Sequence, residues 1–131
     1  MALVCANGTL SIYVNGQLNK QEQNLKFATV GQYKDFTFAY PRWRNHPYRK
    51  SNYYMSEIRF WNRALTAAQI RRNRFSIDPA TPGLVAYWKL DEGTGTTFKD
   101  ATGHGHDLEL YHGEGQRTAP SQWVDIRSDE D

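Results

Sequence analysis

The chain has 131 residues, of which 39% are hydrophobic and 23% charged, and its formal net charge is +2 at pH 7. This composition excludes an intrinsically disordered chain, and the single cysteine, Cys5, excludes an intramolecular disulfide framework and a zinc cage built on several thiolates. Apolar runs are too short for membrane insertion, and the aromatic fraction of 14% requires an explanation in the core or at a binding surface.

The first elements are predicted to be β-strands joined by tight turns. Asn15-Gly16 tolerates the positive φ of a type I′ hairpin turn, and another hairpin is predicted around Asn7-Gly8. Leu10, Ile12 and Val14 alternate with polar residues, which predicts a half-buried strand. The strand candidates of this part are residues 2–6, 9–14, 17–21, 25–30 and 35–40.

A long polar and aromatic loop with two prolines follows, and a loop of this length in a small domain is usually functional or mobile. Aromatic faces stack on the C–H groups of sugar rings, while Arg and Asn side chains hydrogen-bond the hydroxyls. The predicted ligand-binding residues are Tyr40, Arg42, Trp43, Arg44, Asn45, His46, Tyr48 and Asn52, with Tyr53 and Tyr54 beside them. The alternative is that these rings pack the loop onto the sheet. No RNA-binding motif is present, so no nucleic-acid partner is expected.

Residues 53–61 return to strand character, with Glu57, Arg59 and Trp61 on one face. Thr66 and Gln69 form a capping-box pattern, which predicts a helix over residues 67–74 that ends in arginines, where the helix dipole favours cations. Prolines and a glycine predict a stiff linker over residues 76–83.

Further short strands are predicted after the linker, over residues 84–90, 96–99, 108–111 and 123–126, before an acidic tail over residues 127–131. The predicted architecture is therefore all-β and antiparallel with one short helix. At least one of Trp61 and Trp88 is expected in the core, and Trp123 is expected to anchor the last strand.

Charge is unevenly distributed along the chain. Residues 41–74 contain nine Lys and Arg residues against one acid, whereas residues 91–131 contain ten acids against three bases. Either the two segments attract each other in the fold, or the basic segment forms a patch for an anionic partner. No signal peptide is recognisable at the N-terminus, and Met1 stands beside a predicted strand hairpin.

Three segments resemble the LamG-like, concanavalin A-like jelly-roll family. They are residues 10–16, which end in Tyr13-Val14-Asn15-Gly16; residues 55–66, which contain Trp61-Asn62-Arg63-Ala64-Leu65; and residues 83–107, which contain Tyr87-Trp88-Lys89-Leu90 and Thr102-Gly103-His104-Gly105. The second is similar to the family's near-terminal strand and helix, and the third to its opening strand and its Asp-Ser-Ser-Gly-Asn-Gly turn. The resemblance implies an antiparallel concanavalin A-like jelly-roll sandwich, partial or permuted.

The order of the segments departs from the family. Here the terminal-half motif, residues 1–75, precedes the opening-strand motif, residues 84–126, within a single LamG-like domain or fragment over residues 1–131. The chain resembles the C-terminal part of a Bacteroidetes-type surface protein with its trailing domain of unknown function, and the alternative is a circular permutant. A missing half would expose sheet edges, so self-association is expected as an outcome.

The resemblance implies a non-catalytic carbohydrate-binding or adhesion module, with a polysaccharide or glycan as partner and an extracellular or cell-surface parent protein. The alternative is a structural domain that caps an adjacent LamG-like domain and has no ligand of its own. No enzyme is expected, because jelly-roll glycosidases place two or three carboxylates on one strand face, whereas the matching strand has only Glu57.

Two groups of side chains suit a cation by type. His104, His106, Asp107 and His112 suit zinc or nickel, but they stand in or near a Gly-rich turn, and no metal site is expected from them. Some LamG-like relatives bind calcium, for which Asp91, Asp100 and Asp107 are the candidate ligands here, although no residue string matches a calcium loop. The prediction is therefore no cofactor, with calcium as the one candidate.

Overall fold

The computed structural model describes residues 1–25 and 54–110. The strand candidates over residues 35–40 and 123–126 and the acidic tail lie outside these ranges. Of the candidate over residues 25–30, only Leu25 is described. The chain divides into two units, one formed by Met1–Tyr54 and Thr66–Arg71 and the other by Met55–Leu65 and Arg72–Asp131. Within the described ranges, no helix is long and apolar enough to cross a membrane.

The first unit contains a three-stranded antiparallel sheet. Its strands are β1 (Ala2–Ala6), β2 (Thr9–Val14) and β3 (Gln17–Glu22), in that order across the sheet. The turns have positive φ at both central residues, 50° and 75° at Asn7 and Gly8, and 52° and 76° at Asn15 and Gly16. Because a type I′ turn requires positive φ at both positions, the predicted hairpins are confirmed, with the third strand one residue longer than expected.

The burial of β2 differs from the predicted pattern. Leu10 and Ile12 are half-buried as expected, but Val14 is 43% exposed and the buried residue is Ser11, on the other face of the strand. Ser11 faces Val4 and Gln21 on the neighbouring strands, and the Gln21 side-chain amide donates to the Ser11 hydroxyl at 3.0 Å. A satisfied hydroxyl can be buried at little cost, which a pattern based on hydrophobicity does not register.

The helix α1 (Ala67–Arg72) begins at the predicted capping box. The Thr66 amide donates to Gln69 Oε1 at 2.9 Å, and the Gln69 amide donates to Thr66 Oγ1 at 3.2 Å. The predicted end at residue 74 is wrong by two residues. Just after the helix, the guanidinium of Arg59 donates to the carbonyl oxygens of Asn73 and Phe75, so these groups are satisfied by a side chain instead of a further helical turn.

The second unit contains two pairs of antiparallel strands. They are β4 (Ile58–Trp61) with β5 (Leu84–Trp88), and β6 (Thr97–Phe98) with β7 (Leu108–Glu109). The strand predicted from residue 53 begins only at Ile58, since Glu57 has a φ of 56°, and the strand predicted to residue 90 ends at Trp88, since Leu90 has a φ of 57°. Left-handed backbone at these two residues interrupts the extended conformation.

The most buried segment of the described residues is β5. Leu84, Ala86, Tyr87 and Trp88 are each at most 5% exposed, so both faces of this strand are covered. The prediction that at least one strand tryptophan lies in the core is confirmed by Trp88, whose indole Nε1 donates to the His106 carbonyl oxygen at 2.6 Å. Trp61 is half-buried, and the Arg63 guanidinium lies 5.5 Å from its ring centre.

The linker predicted over residues 76–83 is a run of turns. The Asp78 carboxylate accepts a hydrogen bond from the Ala80 amide at 2.9 Å, and the Asp78 carbonyl oxygen accepts one from the Thr81 amide at 3.0 Å. At its end, the Asn62 amide donates to the Gly83 carbonyl oxygen at 3.0 Å. The turns therefore return the chain beside β4, where β5 begins.

Candidate functional site

The residues predicted to bind a ligand lie outside the residues that the structure describes, so their arrangement stays a prediction. They are Tyr40, Arg42, Trp43, Arg44, Asn45, His46, Tyr48 and Asn52. The structure resumes at Tyr54, which is 73% exposed. Its ring is therefore accessible to solvent.

Glu57, the carboxylate that the sequence places on the family-matching strand, belongs to a network in the second unit. Its Oε2 accepts a hydrogen bond from the Tyr87 hydroxyl and forms an ion pair with Arg59 at 2.7 Å. The Arg59 guanidinium also lies 5.0 Å from the Tyr87 ring centre, and its side chain is only 10% exposed. Burial raises the pKa of Tyr87, and the hydrogen bond to the Glu57 carboxylate raises it further.

This network assigns Glu57 a structural role. One oxygen of Glu57 is bound by two protein donors, the Tyr87 hydroxyl and the Arg59 guanidinium. Arg59, in turn, connects β4 to the residues just after α1 through the carbonyl oxygens of Asn73 and Phe75. The cluster therefore stabilises the pairing of β4 with β5 and the path of the chain beyond the helix.

Asp100 organises the Gly-rich turn that follows β6. This residue is 7% exposed, and its carboxylate accepts hydrogen bonds from the backbone amides of Tyr87, Thr102 and His106 at 3.0–3.1 Å, and from the Thr102 hydroxyl at 2.6 Å. Burial acts to raise the pKa of Asp100, but the hydrogen bonds from Thr102, Tyr87 and His106 outweigh it and lower that pKa overall. The turn is therefore built around an ionised, fully bonded carboxylate.

Asp107 closes the same turn from its far end. Its Oδ1 accepts a hydrogen bond from the Asp100 amide at 2.9 Å, and its Oδ2 lies 3.0 Å from the Lys99 ammonium. These two contacts lower the pKa of Asp107, and the Asp107 carboxylate raises the pKa of Lys99. The two aspartates thus bridge the residues before the turn to those after it.

The hydrogen bonds that the carboxylates of Asp100 and Asp107 accept do not suit a calcium site. A calcium ion requires six or more oxygen ligands whose lone pairs point at the ion, and both oxygens of each of these carboxylates already receive N–H or O–H donors. Asp91, the third candidate, is exposed. In the described ranges, no group of three or more His, Cys, Asp or Glu side chains could hold a metal ion.

The histidines of the turn have contacts of a structural kind. His104 Nδ1 lies 2.8 Å from the Val85 carbonyl oxygen, and the His106 backbone bonds both Asp100 and Trp88. His112 lies outside the described residues. The turn is therefore attached to β5 through both histidine positions.

Sequence reasoning did not predict that Tyr87 forms hydrogen bonds with both Glu57 and Asp100. Tyr87 is 0% exposed, its hydroxyl donates to Glu57, and its amide donates to Asp100. The only signal in the sequence was a tyrosine inside an otherwise apolar strand, since a buried phenol requires a hydrogen-bond partner.

Comparison with known proteins gives a family and one structural relative. The profile of the concanavalin A-like lectin/glucanases superfamily matches residues 1–71. The structure is similar to that of a protein from Bacteroides ovatus described as "a putative carbohydrate binding protein", with 30% sequence identity and a TM-score of 0.55. The similarity covers 74% of this chain but 29% of that protein, so this chain spans less than a third of its length. No curated protein matches the chain.

Proposed function

Because the chain belongs to the concanavalin A-like lectin/glucanases superfamily, we propose that it is a non-catalytic carbohydrate-binding or adhesion module that acts at the cell surface or outside the cell. The observation that carries the proposal is the similarity to the Bacteroides ovatus protein, whose description names carbohydrate binding. A polysaccharide or glycan is accordingly the proposed partner.

The proposed binding site is the loop over residues 40–52. Trp43 provides the stacking face, and neighbouring Arg and Asn side chains provide donors to sugar hydroxyls. The exposed ring of Tyr54 supports this location, because an unburied aromatic residue beside the loop is available to extend the stacking surface.

The absence of catalysis in the proposal rests on Glu57. Glycosidases of this fold use a pair of carboxylates, and the carboxylate on the family-matching strand is bound by Tyr87 and Arg59. Its chemistry here is that of a structural anion. Hydrolysis of a bound oligosaccharide by the purified chain would contradict this part of the proposal.

The experiment is a glycan-array screen followed by calorimetric titration of the best polysaccharide. The wild-type chain is expected to bind, and Trp43→Ala is expected to lose about 2 kcal/mol of binding free energy, roughly 30-fold in Kd. Phe75→Ala is the matched control, because it removes a 73% exposed ring outside the loop and leaves affinity unchanged. Absence of binding to every glycan by folded wild-type protein would overturn the proposal.

A structural role is the second candidate, and one observation favours it. Leu3 on β1 and Leu18 on β3 are 60% and 53% exposed, on the outer strands of the first unit's sheet. Exposed leucines on outer strands suit contact with another protein surface. The structural role would be supported over carbohydrate binding if the chain binds no glycan but self-associates in sedimentation measurements. In that case the Leu3→Lys variant should self-associate less than the wild type.

A further inference from the structure

Both hairpin turns of the first unit have the same two-residue sequence, Asn-Gly, at their tips. Asn7 and Asn15 are both exposed, with φ of 50° and 52°. Asparagine followed by glycine is chemically labile, because glycine has no side chain to obstruct attack by its own backbone nitrogen on the preceding side-chain amide. The chain thus contains two potential modification sites with matching sequence and similar backbone.

The reaction at such a site requires no enzyme and only water as co-reactant. The glycine backbone nitrogen loses its proton and bonds to the asparagine Cγ, the bond from Cγ to the side-chain nitrogen breaks, and the NH2 group takes up a proton and leaves as ammonia. The resulting five-membered imide is opened by water at either carbonyl, giving aspartate or isoaspartate. Ring closure needs rotation about the asparagine Cα–C bond, so in a folded hairpin it proceeds from a locally opened turn.

The two turns differ in what holds them closed. Gly16 is buried, its carbonyl oxygen accepts a hydrogen bond from Arg71 NH1 at 3.2 Å, and the aliphatic stem of Arg71 occupies the space beside its Cα. Gly8 is half-buried, and its carbonyl oxygen accepts one hydrogen bond, from the Leu25 amide at 2.8 Å. The second turn is therefore covered by a helix side chain, whereas the first is held by backbone alone.

We propose that Asn7 is a site of spontaneous conversion to aspartate and isoaspartate, and that Arg71 protects Asn15 from the same reaction. Each conversion adds a negative charge, which lowers the formal net charge of +2 by one. Isoaspartate also adds a methylene to the main chain of a two-residue turn, which displaces the adjacent pair of Ala6 with Thr9. Conversion at Asn7 therefore loosens the hairpin of β1 and β2.

The test is prolonged incubation of the intact chain in mildly alkaline buffer at body temperature, followed by proteolysis and mass spectrometry of the two turn peptides. In urea both sites are expected to convert at similar rates, which establishes their equal intrinsic reactivity. In the folded chain Asn7 is expected to convert about fivefold faster than Asn15, because opening the Asn15 turn must also expose the aliphatic stem of Arg71 that packs on Gly16.

The variant Arg71→Ala is expected to raise conversion at Asn15 about fivefold and to leave Asn7 unchanged. Arg72→Ala, which removes the exposed neighbour on the same helix, is the control and is expected to change neither rate. Circular dichroism checks that both variants fold, and the wild-type comparison stands without them. Equal or faster conversion at Asn15 in the folded wild type, or no conversion at Asn7 while the urea sample reacts, would overturn the proposal.

Discussion

The side chain of Asp100 accepts hydrogen bonds from residues of β5, from its own turn and from the residues after it. Four donors surround the carboxylate of this residue, which is 7% exposed, so replacing one carboxylate oxygen with an NH2 group leaves at least one buried N–H without an acceptor. Asp100 is thus more important to the folded state than its place in a Gly-rich turn suggests.

Asp100→Asn is expected to lower the free energy of unfolding by about 2 kcal/mol at neutral pH. Because the folded-state pKa of Asp100 lies below its unfolded value of about 3.9, its contribution is complete above that value and is lost as pH falls through the folded pKa. The difference between wild type and variant should therefore shrink towards strongly acidic pH in urea titrations. Asp91→Asn, at an exposed carboxylate, is the control, and an equal loss in both variants would contradict the role given to Asp100.

Tyr87→Phe tests the hydrogen bond that the Tyr87 hydroxyl donates to Glu57. The raised folded-state pKa of Tyr87 means that its contribution is present below the unfolded value of about 10 and is lost as pH rises through the folded value. The variant is expected to lose about 1.5 kcal/mol at neutral pH, since a hydrogen bond to a charged acceptor is removed, and to be less sensitive to alkaline pH. Unfolding curves from neutral to strongly alkaline pH measure both effects, and an unchanged alkaline midpoint would count against the hydrogen bond.

At the scale of the elements, the contact between α1 and the turn that precedes β3 depends on a glycine. The turn between β2 and β3 meets α1 through Gly16, against which the stem of Arg71 packs. A methyl group on Gly16 would occupy the space of that stem, so the contact requires glycine at this position.

Comparing the stability losses of Gly16→Ala and Gly93→Ala separates the effect of this contact from the effect of backbone strain. Both glycines have positive φ, 76° and 72°, so each alanine is expected to cost about 1–2 kcal/mol, but an added Cβ at Gly93 has no neighbour within 4 Å. Gly16→Ala should therefore be the more destabilising variant in thermal unfolding. In an Arg71→Ala background the difference should largely disappear, and a difference that persists would place its cause elsewhere.

At the scale of the whole molecule, the described charged residues of the basic and acidic segments make contacts other than ion pairs between the two segments. Arg59 and Arg71 from the basic segment bind Glu57 and backbone carbonyl oxygens, and Lys99 pairs with Asp107 within the acidic segment. Between the described residues of the two segments there is no ion pair. Direct pairing of the segments is therefore not how these residues are neutralised.

The carboxylates of Asp100 and Asp107 already accept hydrogen bonds on both oxygens, and this leads to a prediction about the stability of the whole molecule. The melting temperature of the chain is expected to be the same in excess calcium and in excess EDTA, because binding of calcium at Asp100 or Asp107 would displace amide donors. Differential scanning calorimetry in both conditions measures this. A higher melting temperature in calcium would contradict this prediction.

Local order in the sequence determined β1 and β2, the two type I′ turns and the capping box of α1, because each depends on residues at most a few positions apart. Strand ends at Glu57 and Leu90 were missed, since glutamate and leucine rarely adopt positive φ and neither stands in a turn signal such as Asn-Gly. The ligand-binding residues around Trp43 remain a prediction from composition and spacing.

Tertiary structure alone decided the burial of Ser11, the end of α1 and the roles of Glu57, Tyr87 and Asp100. These depend on hydrogen bonds between residues 10 to 30 positions apart, and on the contact of Arg71 with Gly16 across 55 positions. Periodicity records which face of an element is apolar, but it does not record which polar groups meet. The fold class could therefore be predicted from the sequence, whereas the acceptor of each buried donor was set only when distant segments packed together.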